Sequence, residues 1–291
     1  MAISVFQRVA AVVGVCCTAL SLIVSTAGSA DADELFENPD GVAAGCSTAS
    51  TNGTKHVDFD GRYYRVRVPA GVPASGAPLV VAFHGGRGTP ESMESGSGWN
   101  SVADRTASIV VYPRGSKAEG PGWGWEAGDN PVDLQHIRKV VANVRAQWCV
   151  NPKRIHLLGH SNGGQMASRV GCVDSTFFAS GAGYAPAPPP AGCDPARAIS
   201  WAVFASADDT VVIEPVAYGH VMYWSWENRP CQNERPDGGT NVKDSKRWDC
   251  ASGTQVVWRV YNDGSHAWPT GARRTEIQNR IWQLFQAYPR P

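Results

Sequence analysis

The sequence predicts an α/β domain with a doubly wound, mostly parallel sheet and helices on both faces. Three observations carry this. The run Leu79-Val-Val-Ala-Phe83 is continuously apolar, as a strand covered on both faces is, and Ser108-Ile-Val-Val-Tyr112 reads as the next strand. Val132, Ile137, Val140, Val141, Val144 and Trp148 recur at three and four residues, which is one stripe of a helix laid on such a sheet. Strand and helix patterns then alternate to the end of the chain, which implies parallel order. With 291 residues, 43% of them hydrophobic, there is material for one full-sized core. A net charge of zero gives no reason to expect nucleic acid or an anionic membrane as a partner, and the chain is read as a monomer.

Residues 1–30 have the pattern of a secretory signal peptide: Arg8, an apolar run from Val9 to Val24, then small residues with Gly28 and Ala30 where a signal peptidase cuts. The rival is a membrane anchor. The run ends in small residues rather than a basic stop, which favours removal and leaves no stable membrane association. Cys16 and Cys17 would leave with the leader, so Cys46, Cys149, Cys172, Cys193, Cys231 and Cys250 remain. An even set after a leader implies disulfides and an extracellular location, and no Cys/His spacing suggests a metal. Cys231 and Cys250 bracket one polar segment and are expected to pair; closing such a loop stabilises by about 3 kcal/mol in the chain-entropy model.

Residues 31–53 are small and polar, a mobile lead-in to a domain expected over 54–291. His56-Val-Asp-Phe59 and Tyr63-Tyr-Arg-Val-Arg-Val68 alternate about Asp60-Gly61, a hairpin with Tyr64, Val66 and Val68 on one face. The strand at Leu79 ends in His84-Gly85-Gly86-Arg87-Gly88, where glycine lets backbone approach a ligand; His84 is read as a structural residue of that loop. Trp99 to Ala107 reads as a helix, and Gly120 to Gly128 as a loop carrying Trp123 and Trp125. Asn130-Pro131 opens the next helix with a cap residue and a first-turn proline. Later come a strand around Ile199 to Phe204, a helix over Ala217 to Trp226, a polar excursion to Cys250, a strand over Gln255 to Tyr261, and a closing helix striped by Ile277, Ile281, Leu284 and Phe285.

The chemistry centres on Arg154-Ile-His-Leu-Leu-Gly159-His-Ser161-Asn-Gly163-Gly. A strand pattern turns sharply at Ser161 and continues as a helix, with glycine two residues before and two after, where only small residues fit. This is the nucleophile elbow of an α/β-hydrolase. A serine hydroxyl needs a base to take its proton and a carboxylate to orient that base. In the chain order Ser, acid, His, the base is His220 or His266. His266 follows a strand in a Gly-containing loop, whereas His220 falls in a helical pattern, so His266 is chosen. The acid is Asp208 or Asp209, and Asp208, first after its strand, is chosen, with Asp209 left as a turn-former. Oxyanion donors are expected at the N–H groups of Gly86 and Asn162. Trp125 and Trp268 fall on loops at the carboxyl ends of strands and are placed to wall the acyl site.

From about Gly45 onward the chain resembles the secreted esterases grouped with feruloyl esterases, acetylxylan esterases and polyhydroxybutyrate depolymerases. The likeness rests on Ala44-Gly-Cys46, His84-Gly85-Gly86, Trp123-Gly-Trp125, Cys149-Val-Asn-Pro, Ser161-Asn-Gly-Gly164, Ala207-Asp208 and Gly264-Ser-His266-Ala-Trp-Pro269. It implies the α/β-hydrolase fold, a Ser-Asp-His triad, ester hydrolysis without a cofactor, and disulfides Cys46–Cys149 and Cys172–Cys193. Two departures fall near the site. Phe204-Ala205 stands where a His-Gly pair often precedes the acid, and the glycine run before the histidine is reduced to Asp263-Gly264-Ser265. The expected activity is a serine esterase acting on aromatic or acyl esters. The alternative is a depolymerase of aliphatic polyester, which would need an exposed apolar surface near Trp224 and Trp226; a non-catalytic binding protein on this scaffold is the remote third reading.

Overall fold

The computed structural model of the protein describes residues 41–128, 131–189 and 191–291. The leader and its cut, the first part of the lead-in, the Asn130 cap and Pro190 lie outside the described residues.

The chain forms a ten-stranded sheet in the order β1-β2-β4-β3-β7-β8-β9-β12-β11-β10. Here β1 is Thr54–Phe59, β2 Arg62–Arg67, β3 Ala77–Phe83, β4 Ile109–Pro113, β7 Val150–His160, β8 Ser180–Tyr184, β9 Ser200–Ser206, β10 Gln232–Pro236, β11 Val242–Asp249 and β12 Gln255–Tyr261. A short separate hairpin, β5 Lys117–Glu119 with β6 Gly122–Gly124, occupies part of the expected 120s loop. Strands β4, β3, β7, β8, β9 and β12 run parallel, and the outer strands are antiparallel.

Helices cover both faces, as the apolar runs require. They are α1 Pro90–Ser97, α2 Trp99–Thr106, α3 Pro131–Gln147, α4 Asn162–Val173, α5 Glu214–Glu227 and α6 Gly271–Ala287. Side chains of a strand alternate between faces. Leu79, Val81 and Phe83 of β3 join one core with Ile137, Val141 and Val144 of α3, Met166 and Val170 of α4, and Trp224 of α5. Val80 and Ala82 join the opposite core with Trp99 and Val102 of α2 and Ile277, Ile281 and Phe285 of α6. Tyr64, Val66 and Val68 share the buried face expected of them, whereas Val132 of the predicted α3 stripe is exposed.

The polar excursion is a correction. It folds as the β10–β11 hairpin and extends the sheet past β12. Its faces are half-buried or exposed and carry ion pairs such as Arg235–Asp249, so no apolar period marks it as strand. Charged side chains on an edge of this kind discourage pairing with another chain. Disulfides link Cys46–Cys149, Cys172–Cys193 and Cys231–Cys250. The first joins the described part of the lead-in to the residue before β7, where Ser47 N–H donates to the Gln147 carbonyl and Cys149 N–H donates to the Ser47 carbonyl.

Strand order reverses beside β3: the chain steps outward to β4, then returns to the other side of β3 as β7. Crevices at the carboxyl ends of strands at such a reversal are where open α/β sheets bind ligands.

Candidate active site

Ser161 sits between β7 and α4 with φ 53° and ψ −123°, a conformation that a non-glycine residue holds only under strain. The surrounding glycines show why the turn can form. A Cβ on Gly159 would overlap the carbonyl of Gly163, and one on Gly163 would overlap the carbonyls of Phe83 and His84. The elbow therefore packs directly on the end of β3, and the loop after β3 comes with it.

His266 follows β12. Its Nε2 lies 2.9 Å from Ser161 Oγ and its Nδ1 lies 2.8 Å from Asp209 Oδ2. A carboxylate only accepts, so Nδ1 carries the proton and Nε2 is free to accept from the Ser161 hydroxyl. Asp209 is buried, and its other oxygen accepts from the backbone N–H groups of Val211 and Val212 at 2.8 and 2.9 Å.

The choice of Asp208 is thereby corrected. Asp208 is exposed and turned away from the imidazole; its oxygens accept from the N–H groups of Ser265 at 2.8 Å and Gly264 at 3.3 Å. It braces the backbone of the histidine loop, in which Gly264 and Ser265 both hold positive φ. The rejected histidine has a structural place. His220 donates from Nε2 to the Ala187 carbonyl and accepts from the Ser168 hydroxyl, while Ala187 N–H donates to the Ser161 carbonyl. Burial pushes the His220 pKa down to about 4, so it stays neutral.

The expected oxyanion donors lie close together. A Cβ on Gly86 would be 3.7 Å from Asn162 Cβ, and one on Gly85 would be 3.4 Å from Ser161 Cβ. Asn162 opens α4, so its N–H has no partner within the helix. Its side chain clamps the next loop by accepting from Trp125 N–H at 2.6 Å and donating to the Trp125 carbonyl at 3.3 Å. His84 holds the oxyanion loop from below: Nδ1 donates to the Gly85 carbonyl and Nε2 accepts from Gly115 N–H. Glu119 was not singled out in the sequence. Its Oε2 accepts from Arg87 N–H at 3.2 Å, which ties the β5–β6 hairpin to the same loop. Only the fold brings it there.

Trp125 and Trp268 are also corrected. Trp125 is 3% exposed, donates from its indole to the His84 carbonyl and packs on Phe83 and His84. Trp268 is 9% exposed and packs on Tyr184 and His160. Both support the loops that carry the site and leave little ring surface for a substrate. A depression of about 770 Å³ near Arg65, Glu94, Arg274 and Gln278 contains no residue of the site, and Arg65 there is paired with Glu94.

A nucleophile elbow on β7, an imidazole after β12 and a carboxylate after β9 define an α/β-hydrolase of the carboxylesterase class. Residues 62–185, the segment that carries the loop after β3 and the elbow, match the family described as esterase PHB depolymerase. A protein described as a candidate esterase, NocK from Nocardia uniformis subsp. tsuyamanensis, is 29% identical over 72% of this chain and 71% of its own length. Feruloyl esterase B of Piromyces equi is 28% identical over 69% of this chain, which spans 42% of that longer protein. The acetyl xylan esterase of Aspergillus awamori has the same fold, with a TM-score of 0.63 at 14% identity over 80% of this chain and 99% of its own.

Proposed function

We propose that the protein is a secreted serine carboxylic-ester hydrolase that works through an acyl-enzyme, with Ser161, His266 and Asp209 as its triad and feruloyl- or acetyl-type esters of polysaccharide as its substrate class. The observation that carries this is the continuous hydrogen-bonded line from Ser161 Oγ through both nitrogens of His266 to the buried Asp209. In acylation Ser161 Oγ bonds to the ester carbonyl carbon while His266 Nε2 takes the hydroxyl proton. The N–H groups of Gly86 and Asn162 receive the developing oxyanion. The tetrahedral species expels the alcohol, which takes the proton back from Nε2. Water then attacks the acyl-enzyme, giving its proton to His266, and Ser161 leaves re-protonated with release of the acid.

Secretion is supported by the leader pattern and the three disulfides. Among the described residues no helix is long and apolar enough to cross a membrane.

A second reading, hydrolysis of a solid aliphatic polyester, is favoured by one feature. Val211 and Ile213, just after Asp209, are exposed, and Met222 and Trp226 continue along α5 four residues apart, with Val211 69% and Trp226 64% exposed. Trp224, the other residue named for such a surface, is buried and stacked on Trp201. Purified protein is assayed on p-nitrophenyl acyl esters, methyl ferulate, acetylated xylan and a polyhydroxybutyrate film. Turnover of ferulate or acetyl esters with an inert film supports the first reading. Film erosion that falls in Trp226→Ala while p-nitrophenyl acetate turnover is kept supports the second, and inertness on every ester sinks both.

A further inference from the structure

We propose that His160, the residue before the nucleophile, is the positioning residue for the triad base: it holds the backbone of His266 so that one imidazole meets Ser161 and Asp209 together. This rests on the esterase reading above. His160 Nε2 lies 2.8 Å from the carbonyl oxygen of His266. A carbonyl only accepts, so Nε2 bears the proton and donates, and Nδ1 is bare. The bare nitrogen faces the oxyanion loop, where a Cβ on Gly85 would stand 3.0 Å from it. One ring therefore links two parts of the site, the elbow through its own backbone and the base through a hydrogen bond, and fills the space a side chain at Gly85 would need.

The histidine loop needs such a tie. Gly264 has φ 134° and Ser265 φ 54°, so the segment leading into His266 follows no regular path. Asp208 bonds the N–H groups of Gly264 and Ser265; Ser206 and Arg273 bond the Asp263 carbonyl; Tyr184 reaches the Ser265 carbonyl at 3.4 Å. All of these act upstream of His266. Among the described residues, the side chain that bonds the main chain of His266 itself is His160. The imidazole must satisfy two distances at once, 2.9 Å to Ser161 and 2.8 Å to Asp209. Its Cα therefore has little freedom, and the His160 bond runs from the residue adjacent to the nucleophile. Any drift of the elbow carries the base with it.

The ring is itself immobilised. Tyr184 lies 6.0 Å from it at an interplanar angle of 30° and Trp268 meets it edge-on at 6.0 Å, which gives the buried Trp268 a reason to be large. Burial pushes the His160 pKa down to about 4, so the donor tautomer is kept through neutral pH without a second proton. The ring also lies beside that of His266, with centroids 5.1 Å apart, but exchanges no proton in this account.

The test compares His160→Phe, His160→Gln and His160→Asn with the wild type. Competent sites are counted by stoichiometric labelling with a fluorophosphonate, and kcat and KM are measured on p-nitrophenyl acetate. Phe keeps the ring and loses the donor, Gln places an amide N–H near the Nε2 position, and the shorter Asn cannot reach the carbonyl. The expected result for Phe is a kcat per labelled site lower by about 10²-fold, the scale of a misplaced catalytic group, with KM nearly unchanged. Gln is expected to recover most of the loss and Asn to recover little. Wild-type kcat per labelled site in the Phe variant, or a folded Gln variant no better than Asn, overturns the proposal. If Phe does not fold, the Gln against Asn comparison decides alone. A wild type that takes no label at Ser161 overturns the esterase reading instead.

Discussion

Two adjacent aspartates offer the sharpest test of the site, because the structure assigns them opposite tasks. Asp209 accepts from Val211 and Val212 N–H on one oxygen and from His266 Nδ1 on the other. In Asp209→Asn the remaining oxygen is needed by the two backbone donors, so the amide N–H₂ is turned to His266. Two donors cannot face each other. The imidazole must shift its proton to Nε2, which then points a hydrogen at Ser161 and can no longer accept the hydroxyl proton. A wrong tautomer of this kind costs about 10⁴ in kcat, or about 5 kcal/mol of barrier. Asp208→Asn keeps an acceptor for Ser265 N–H and loses the longer, 3.3 Å bond to Gly264. That is the loss of one exposed hydrogen bond, about 1 kcal/mol, and the rate should fall by about tenfold at most. The assay is steady-state hydrolysis of p-nitrophenyl acetate on protein with matched melting temperatures. A large loss in Asp208→Asn with near-normal turnover in Asp209→Asn would refute the assignment.

Ser161→Ala removes the nucleophile and adds no bulk at the elbow; turnover should fall by about 10⁴ or more with an unchanged circular dichroism spectrum, and retained turnover would place the chemistry elsewhere. Trp125→Ala and Trp268→Ala should each destabilise by about 3–5 kcal/mol, since both rings are buried. Calorimetry reads this, and a variant with an unchanged melting temperature and a raised KM only for aromatic esters would return that tryptophan to the substrate. Stability should also fall in acid. Burial holds His84, His160 and His220 down to about 4 and His156 to about 3, against an ordinary value of 6.5. The unfolded chain thus binds protons that the folded one refuses. This part of the stability is complete above about pH 6.5 and is lost as pH falls toward 4, at up to about 1.4 kcal/mol per pH unit for each histidine. A melting temperature flat from pH 7 to pH 4.5 would contradict it.

Most of the interior parallel strands and their covering helices were legible because their patterns are strong: a sealed strand tends to be an apolar run and a helix on it carries a stripe, whereas β8, Ser180-Gly-Ala-Gly-Tyr184, is built of small residues and gave no such signal. The elbow was legible because only glycine fits at Gly159 and Gly163, and His266 because the base must follow a strand late in the chain. The β10–β11 hairpin was not, since an exposed edge ribbon has no buried face to impose a period. Nor was the role of His160, although it stands inside the motif, because its partner lies more than a hundred residues away in sequence.

What sequence alone picked out is therefore the set of groups whose identity is forced locally: Ser161 at the elbow, its glycines, His266 and the apolar strands. The tertiary structure decided everything that depends on direction. Asp208 and Asp209 are the same residue type on the same loop, and composition cannot separate them. The turn after β9, closed by the Asp209 N–H bond to the Ser206 carbonyl, aims the second carboxylate at the imidazole and the first at the loop backbone. Trp125 and Trp268 stand likewise on the predicted edge of the sheet, yet packing turns their rings inward. Neighbouring side chains on an irregular turn leave the backbone in different directions, and those directions follow from hydrogen bonds to residues far away in the chain.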